Sequence, residues 1–420
     1  MTASAGPQTV ETTELLAAAG AQLGRRAWAQ ARALYEQALT AQETAEGLEG
    51  VAVAAWWLDD VDTAIRARER AYVLRRERGQ TVEAARIAGF LAWDYGAMRG
   101  VTAVARGWLQ RAHRLLEGVG PSAEQAWLPL IEASFHLDSD ATEVLRLSTV
   151  AADHARAHGG LDIEMTARTL QGLALVSLGR VEEGMRLLDE GTAAATVGEL
   201  HDPIAIGSCC CNMIIACERS RDFDRAGQWC EQLAAFCERT GQRPLLALCR
   251  AHHATVLMMR GDWPQAQEDF AWAAGALSTL RPPLAGYARA RLAQLRLRQG
   301  RLGEARDLLG QSAAHVLTPL VQAEVDLDDG ELAGALSGAQ RYLRSLAGGQ
   351  AIESAAALEV LVTVRGRLGQ LPEAREAHEL LAAIAHAVPT DALGAAERCA
   401  AGRIALAEEQ PDSAATAFED

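Results

Sequence analysis

Seven of the eight cysteines of this 420-residue chain fall between positions 209 and 249, and two adjacent histidines follow them. Thiolates and imidazoles are the ligands of zinc sites, and a thiol with a lowered pKa can sense oxidants. By the repeat register described below, however, Cys210, Cys217 and Cys230 take core positions, where cysteine behaves as a small hydrophobe. Only Cys211 is predicted to face a groove. We therefore expect core packing, with a zinc site and thiol redox sensing as alternatives. The residues are Cys209, Cys210, Cys211, Cys217, Cys230, Cys237, Cys249, His252 and His253.

Six of the nine tryptophans precede residue 130, which favours a binding region in the N-terminal third. Trp56 and Trp57 stand side by side at the end of an apolar run. A core position usually takes one large ring beside a small partner, so the adjacent pair predicts that at least one indole faces a groove. Trp93 is predicted to point the same way, with Gly89 and Gly96 leaving it space. Packing of these rings between helices is the alternative.

Motifs of catalysis and phosphate binding are missing from the sequence. It contains no Gly-rich phosphate loop, no GxSxG elbow, no HExxH and no paired CxxC. All 40 basic residues are arginine, so a phosphate-loop lysine and a Schiff-base lysine are excluded. The net charge of −15 argues against gripping a nucleic-acid backbone. We expect no enzymatic activity, no cofactor and no direct binding of nucleic acid.

The sequence also lacks signals for secretion or membrane insertion. Its first residues, MTASAGPQTVETTELL, have neither a basic segment nor a long apolar run. No stretch of about 20 uncharged apolar residues occurs elsewhere. The cysteines fit a reducing compartment. We therefore predict a cytoplasmic protein that does not contact the membrane.

A short turn signature recurs along the chain: Gly or Asp, a polar residue, an apolar residue, two more residues and then a small one. Eight of its ten intervals are 39–42 residues long. Each unit reads as two helices joined at the Gly/Asp turn, with acidic residues such as Asp222 and Glu373 in the first turn of the second helix. The marker positions are Ala31, Ala64, Val104, Val144, Gly184, Ala226, Ala266, Ala305, Ala335, Ala374 and Ala415.

These units resemble the tetratricopeptide repeat, with its small and large residues at fixed helix positions. The low aromatic content of 5% also favours helix over sheet. We predict an all-α fold: a right-handed α-solenoid of about eleven tetratricopeptide-like helix-turn-helix repeats with a period near 40 residues. The array is expected to run continuously over 1–420, with softer joints near 118–126 and 278–284. At the second joint, Pro282 and Pro283 are expected to exclude regular helix.

In this register, the concave groove is predicted to bind an effector, either a protein or a small molecule; self-association is left open. The rings and the methionine would make apolar contacts, and Glu49, His136 and Glu218 would orient the ligand. The arginine-rich run 66–79 is expected to form a solvated, salt-bridged face. The predicted groove residues are Glu49, Trp56, Trp57, Trp93, His136, Cys211, Glu218 and Met258.

Four blocks, in order, resemble the long helical-repeat segment of actinobacterial LuxR-type transcription regulators. They are "LEGVAVAAWWLDDVDTAIRARERAYVLRRERG", "RIAGFLAWDYGAMRGVTAVARGWLQRAHRLLEG", "EMTARTLQGLALVSLGRVEEGMRLLDEGTAAATVGEL" and "ACERSRDFDRAGQWCEQLAAFCERTGQRPLLALCRAHHATVLMMRGDWPQAQ". In that family a C-terminal helix-turn-helix DNA-binding domain follows the repeats. This sequence shows none before its end at PDSAATAFED. The resemblance implies a sensing, scaffolding or oligomerising arm.

The first functional hypothesis is therefore a non-catalytic sensor and interaction module of a LuxR-type transcription regulator. The alternatives are a free-standing tetratricopeptide-like scaffold for protein interactions and a cysteine-based redox sensor.

Overall fold

All regular secondary structure in the described part of the chain is helical. The computed structural model describes residues 7–120, 123–240, 243–280, 282–312, 315–346 and 352–419, and within these ranges it contains 22 α-helices and no strand. The predicted all-α class is confirmed. The first eleven helices are α1 (Pro7–Gly24), α2 (Trp28–Ala41), α3 (Ala45–Trp57), α4 (Val61–Glu77), α5 (Thr81–Trp93), α6 (Thr102–Leu116), α7 (Trp127–Ser134), α8 (Ala141–His158), α9 (Leu161–Ser177), α10 (Val181–Val197) and α11 (Pro203–Ser220).

The second half of the chain continues in the same way. Its helices are α12 (Phe223–Thr240), α13 (Arg243–Arg260), α14 (Trp263–Leu280), α15 (Pro282–Arg298), α16 (Leu302–Gly310), α17 (Thr318–Asp328), α18 (Leu332–Ser345), α19 (Ala355–Arg367), α20 (Leu371–Ala387), α21 (Asp391–Ala407) and α22 (Pro411–Glu419). Consecutive helices pair, so that α1 packs on α2, α3 on α4 and so on to α21 on α22. Each hairpin then packs on the next, which makes the described helices a solenoid of eleven hairpins.

The turn within each hairpin explains the repeat signature. In ten of the eleven turns, as far as the described residues show, one residue has a positive φ, which lets the first helix stop and the chain reverse. Six of these residues are glycine, which takes this conformation without steric cost. The other four are Arg26, Asp59, Arg221 and Glu409, with φ between 57° and 63°.

The small residue after the turn lies where two helices cross closely. Ala64, Ala226 and Ala374, for example, have no exposed surface, as the signature predicts. In the third hairpin, however, Val104 is 40% exposed, and the buried small residue is Ala105. The turn from Asp94 to Met98 is π-helical and takes up an extra residue, which moves the register by one.

The last hairpin differs by one residue in the opposite direction. Ala415 is exposed and Ala414 is buried, so the buried small residue comes one position before the predicted marker.

The solenoid curves until distant hairpins touch. Arg219 at the end of α11 forms an ion pair of 2.9 Å with Glu353, and Ser177 Oγ donates to the same carboxylate at 2.7 Å. Arg221 pairs with Glu359 on α19 at 2.6 Å. We call these five residues the clasp. It joins the middle of the chain to the tenth hairpin and so encloses a space between them.

The first predicted joint, 118–126, lies between two helices. α6 ends at Leu116 and α7 begins at Trp127, after a 3₁₀ turn at Ala123–Ala126. At the second joint, the expectation that Pro282 and Pro283 exclude regular helix is wrong, because α15 begins at Pro282. Proline is tolerated in the first helical turn, where its missing N–H has no intrahelical partner to lose.

The expectation for the arginine-rich run also needs a correction. Arg68 is buried, forms an ion pair with the buried Asp94, and lies 5.3 Å from the centroid of the Phe90 ring. Its neighbour Arg70 is exposed and pairs with Glu43, as the solvated reading requires. None of the described helices is both long and apolar enough to cross a membrane.

Candidate functional site

Two cavities of about 610 Å³ each lie between the described helices. We call the first the aromatic cavity, because Trp28, Trp56, Trp57, Phe90 and Trp127 line it. We call the second the central chamber. It lies inside the clasp, and α11, α13, α15, α17 and α19 contribute to its walls. Both volumes are in the range that small organic ligands occupy.

The aromatic cavity is built around three packed indoles. Trp28 stacks on Trp57 with ring centroids 5.1 Å apart and an interplanar angle of 10°. Trp56 meets Trp57 edge-on at 5.0 Å and 82°. The adjacent tryptophans therefore belong to one cluster in which each ring presents a different side. Trp56 and Trp57 are each only 6% exposed, so their indoles form part of the cavity wall without protruding from it.

The charged groups around the aromatic cavity are mostly paired. Glu49 bridges Arg75 and Arg86, each at 2.7 Å, and these contacts hold its carboxylate in place. Arg68 is paired with Asp94. Arg26 differs: no described residue forms an ion pair with it, and burial lowers the pKa of its guanidinium. It also has a φ of 61°, a backbone conformation that costs energy for a residue with a side chain.

Three of the predicted groove residues meet in the aromatic cavity. Glu49, Trp56 and Trp57 all line it, whereas Trp93 does not. Trp93 is half-buried against the same hydrophobic cluster. The expectation that Gly89 and Gly96 leave it space is wrong.

The two glycines make room for other side chains. A Cβ on Gly96 would lie 2.3 Å from Cε1 of Phe135, and one on Gly89 would lie 3.2 Å from Cδ1 of Ile131.

Sequence reasoning missed four residues of the aromatic cavity, namely Arg26, Trp28, Phe90 and Trp127. The concentration of tryptophan before residue 130 was the signal that pointed to two of them. Residues 200–204, which run from the connection after α10 into the first turn of α11, also line the cavity, although they lie four hairpins further along the chain than Trp28. No local pattern indicates that contact, because it depends on the curvature of the intervening hairpins.

The central chamber contains a fully engaged buried carboxylate, the predicted Glu218. Its Oε2 accepts from Tyr287 Oη at 2.6 Å and contacts His252 Nδ1 at 2.8 Å, and its Oε1 pairs with Arg291. Burial by itself would raise the pKa of Glu218, but Arg291, His252 and Tyr287 outweigh it and lower that pKa to about 2. The charge of Glu218 therefore organises the chamber wall and is already matched by protein groups.

Three further predicted groove residues, Met258, His136 and Cys211, do not line either cavity. Met258 is 1% exposed and packs against Phe270 and Leu295, so the expectation that it faces the groove is wrong, whereas the following residue, Met259, lines the central chamber. His136 is half-buried in the turn between α7 and α8, and it is the next residue, Leu137, that lines the chamber.

Cys211 is 7% exposed and lies in a hydrophobic cluster with Met165 and Ile214, so the expectation that it faces the groove is also wrong. A helix position one residue away faces about 100° around the axis, which accounts for one-residue errors of this kind.

The cysteine cluster is part of the core. Cys209, Cys217 and Cys230 are buried. Burial raises the pKa of Cys209 and of Cys230 to about 12, and it raises the pKa of Cys217 as well. Such thiols are protonated near neutral pH and are poor nucleophiles. The side chains of Cys237 and Cys249 lie outside the described residues. Within the described part of the chain, no group of three or more His, Cys, Asp or Glu side chains is arranged to hold a metal ion.

Comparisons with known proteins concern the fold. No protein-family model matches the chain, and no curated protein matches it. Among solved structures it is similar to a human IFIT1 dimer with m7Gppp-AAAA, at 12% identity over 99% of this chain and 94% of that one, with a TM-score of 0.47. It is similar to aspartyl phosphate phosphatase F from Bacillus subtilis, at 13% identity over 83% and 97%, with a TM-score of 0.45. For yeast Tom70, the identity is 14% over 97% and 91%, and the TM-score is 0.34. Identities and scores this low give no argument about function.

Proposed function

We propose that this chain is a non-catalytic sensor and interaction module of the kind found in LuxR-type transcription regulators, and that it binds a small-molecule effector in the aromatic cavity. The observation that carries the proposal is the meeting of Arg26, which has no described ion-pair partner, with the stacked Trp28 and Trp57 in one enclosed space. Three residues predicted from the sequence line the same space.

The walls of the aromatic cavity define a ligand class. Indole faces favour a planar aromatic ring, which can stack against them or meet them edge-on. Arg26 supplies a guanidinium that can bind a carboxylate in a bidentate manner. The other cations, Arg68 and Arg86, are already neutralised by Asp94 and Glu49. The effector that fits this arrangement best is a planar aromatic carboxylate.

The position of the aromatic cavity suits a sensor. Its walls come from the first hairpins and also from residues 200–204, where α11 begins. A ligand in the cavity would therefore contact two parts of the solenoid at once and stabilise the curvature that brings them together. The sequence resemblance to LuxR-type regulators supports the further proposal that ligand binding, by stabilising this curvature, controls transcription through a DNA-binding domain.

Calorimetric titration with indole-3-acetate, and with the uncharged indole-3-acetamide, tests the proposal. We expect the acid to bind the wild type more tightly than the amide does. Trp28→Ala should abolish binding of both probes, and Arg26→Gln should weaken only the acid, by about tenfold for the lost charge-assisted contact. Trp272→Ala, at an exposed tryptophan remote from the cavity lining, is the matched control. Failure of the acid to bind the wild type, or equal binding by wild type, Trp28→Ala and Trp272→Ala, would contradict the proposal.

A protein-interaction scaffold is the second candidate, and exposed apolar side chains on α20 to α22 favour it. Leu380, Leu406 and Phe418 are all about half exposed. Sedimentation of the wild type at rising concentration, compared with Leu406→Glu, tests self-association through this region. We expect association that the charged variant weakens; a wild type that stays monomeric throughout would count against self-association.

A further inference from the structure

The central chamber contains more unpaired positive than negative charge. Six arginines line it, and three of them, Arg219, Arg221 and Arg291, are held in ion pairs with Glu353, Glu359 and Glu218 respectively. The remaining three have no ion-pair partner among the described residues. They are Arg298, Arg367 and Arg403.

Most of the acidic side chains that line the chamber already form an ion pair or a hydrogen bond with a protein group. Glu218, Glu353, Glu359 and Asp138 each form an ion pair with an arginine. Both oxygens of Glu324 accept from the Gln294 amide, at 3.0 and 2.8 Å, and burial raises the pKa of Glu324. Asp328 is the remaining carboxylate on the wall. The lining arginines and lining carboxylates are thus equal in number, six of each, and an anion that enters meets three guanidinium groups without a described ion-pair partner, beside the carboxylates of Asp328 and Glu324.

Arg298 is the group best placed to bind such an anion. Arg298 lines the chamber and is an exposed residue, and the protein around it lowers its pKa. Arg291 and Arg221 add positive charge nearby, and Glu324 and Glu359 partly offset it. By contrast, Arg367 already donates to the Leu327 carbonyl at 3.0 Å. A bound carboxylate would give the Arg298 guanidinium the partner that the protein does not supply.

Much of the rest of the wall is apolar, although polar side chains such as Thr255 and Thr363 also line it. Side chains from α11, α15 and α17 and from the turn before α17 face the same space. They include Ile215, Leu284, Val316, Leu317 and Leu320. A ligand that satisfies both parts of the wall combines one anionic group with an aliphatic body, since most recognition pockets are apolar with a few placed polar groups.

We propose that the central chamber is a second binding site and that it takes an aliphatic monocarboxylate. The carboxylate is held by Arg298, the aliphatic chain packs against the apolar side chains of the wall, and Arg403 on α21 lines the same chamber. This site is separate from the aromatic cavity and does not depend on the effector proposed for it.

Titration of the wild type with octanoate, octanol and octylammonium tests the proposal. We expect octanoate to bind and the other two probes to bind at least tenfold more weakly, because they lack the charge that Arg298 recognises. Arg298→Gln should weaken octanoate binding by about tenfold or more, and Arg298→Lys should restore part of it. Circular dichroism spectra identical to that of the wild type would show that both variants are folded.

Arg26→Gln is the matched control, because it removes the corresponding guanidinium of the aromatic cavity. We expect it to leave octanoate binding unchanged. The proposal is overturned if octanoate does not bind, if octanol binds equally well, or if Arg298→Gln leaves the octanoate affinity unchanged. Loss of octanoate binding in Arg26→Gln alone would assign the carboxylate to the aromatic cavity and would also overturn it.

Discussion

The aromatic cavity and the central chamber have the same volume and opposite construction. In the aromatic cavity, stacked and edge-on rings from the first hairpins set the shape, and Arg68 and Arg86 are held in ion pairs, whereas Arg26 has no described ion-pair partner. In the central chamber, ion pairs such as Glu218–Arg291 and Arg219–Glu353 link helices that are far apart in the sequence. Steric fit therefore dominates the first region and electrostatics the second. Substitutions of matching size should have different costs in the two regions.

The largest expected effect is Glu218→Gln in the central chamber. The amide leaves Arg291 as a buried cation without its counterion, which should lower the free energy of unfolding by about 3–5 kcal/mol. Glu49→Gln, at the more exposed bridging carboxylate of the aromatic cavity, should cost about 1 kcal/mol or less. Urea unfolding followed by circular dichroism measures both changes. Equal costs would contradict the electrostatic description of the chamber.

The pH dependence of unfolding, compared between wild type and Glu218→Gln, sharpens the description of the central chamber. Because the pKa of Glu218 is lowered to about 2 in the folded state, its stabilising contribution is complete above the unfolded value near 4.5 and declines as the pH falls toward 2. The difference in unfolding free energy between wild type and Glu218→Gln should therefore shrink between pH 5 and the acid limit of folding. A difference that stays constant across this interval would count against the lowered pKa.

Opening the clasp is expected to have the next largest effect. Arg219→Gln removes the ion pairs to Glu353 and Asp138, and we expect a loss of about 2–3 kcal/mol because Glu353 stays buried with its charge. Small-angle scattering should show a larger radius of gyration. Arg180→Gln, which breaks an exposed pair with Glu183, should change neither quantity measurably. An unchanged radius for Arg219→Gln would show that the clasp does not hold the curvature.

A substitution that only adds a side-chain carbon tests the packing of the N-terminal hairpins. Gly96→Ala places a Cβ 2.3 Å from Phe135, and we expect a loss of about 1–3 kcal/mol from overpacking. Gly107→Ala in the neighbouring α6 meets nothing within 4 Å, so it should gain about 0.5–1 kcal/mol from helix propensity. Thermal unfolding of the two variants should therefore shift in opposite directions. A stabilised Gly96→Ala variant would contradict the packing described around Phe135.

The smallest expected effect concerns a pH-dependent contact between α6 and α7. His113 on α6 lies 3.4 Å from Glu132 on α7, and this contact raises the pKa of His113. Its contribution is complete below the unfolded pKa near 6.5 and is lost as the pH rises through the folded value. Wild type and His113→Gln should differ by about 0.5 kcal/mol at pH 5.5 and should not differ at pH 9. A larger difference at pH 9 than at pH 5.5 would contradict the direction of the shift.

The repeats could be predicted from the sequence, and the cavities only in part. Buried small residues such as Ala64 and Ala226 mark helix crossings, and a glycine such as Gly179 marks a turn, because both requirements are local. The adjacent positions of Trp56 and Trp57 at the end of an apolar run are also a local signal, and both side chains line the aromatic cavity. The π-helical turn before Met98 has no comparable signal, and it displaced the predicted register in the third hairpin.

The central chamber could not be predicted because no single repeat contains it. Contacts such as Ser177 with Glu353, or Thr390 with the Ser220 carbonyl, join residues more than 150 positions apart. Their positions depend on small rotations summed over many hairpins, and a one-residue pattern does not encode that sum. Glu218 was predicted to orient a ligand. The structure shows its carboxylate bonded to protein groups, while the unpaired Arg298 was not singled out at all.

Four hairpin turns keep a residue other than glycine in the left-handed conformation, and this has a consequence for engineering. Two of the four, Arg26 and Arg221, line the aromatic cavity and the central chamber, whereas Asp59 and Glu409 line neither. Glycine at 59 or 409 should relieve roughly 1 kcal/mol of backbone strain and raise thermostability without touching recognition. Glycine at 221 would also break the clasp ion pair with Glu359. Glycine at 26 would relieve similar strain but delete the guanidinium that lines the aromatic cavity, so a screen for heat resistance alone would select a variant that has lost sensitivity to its ligand.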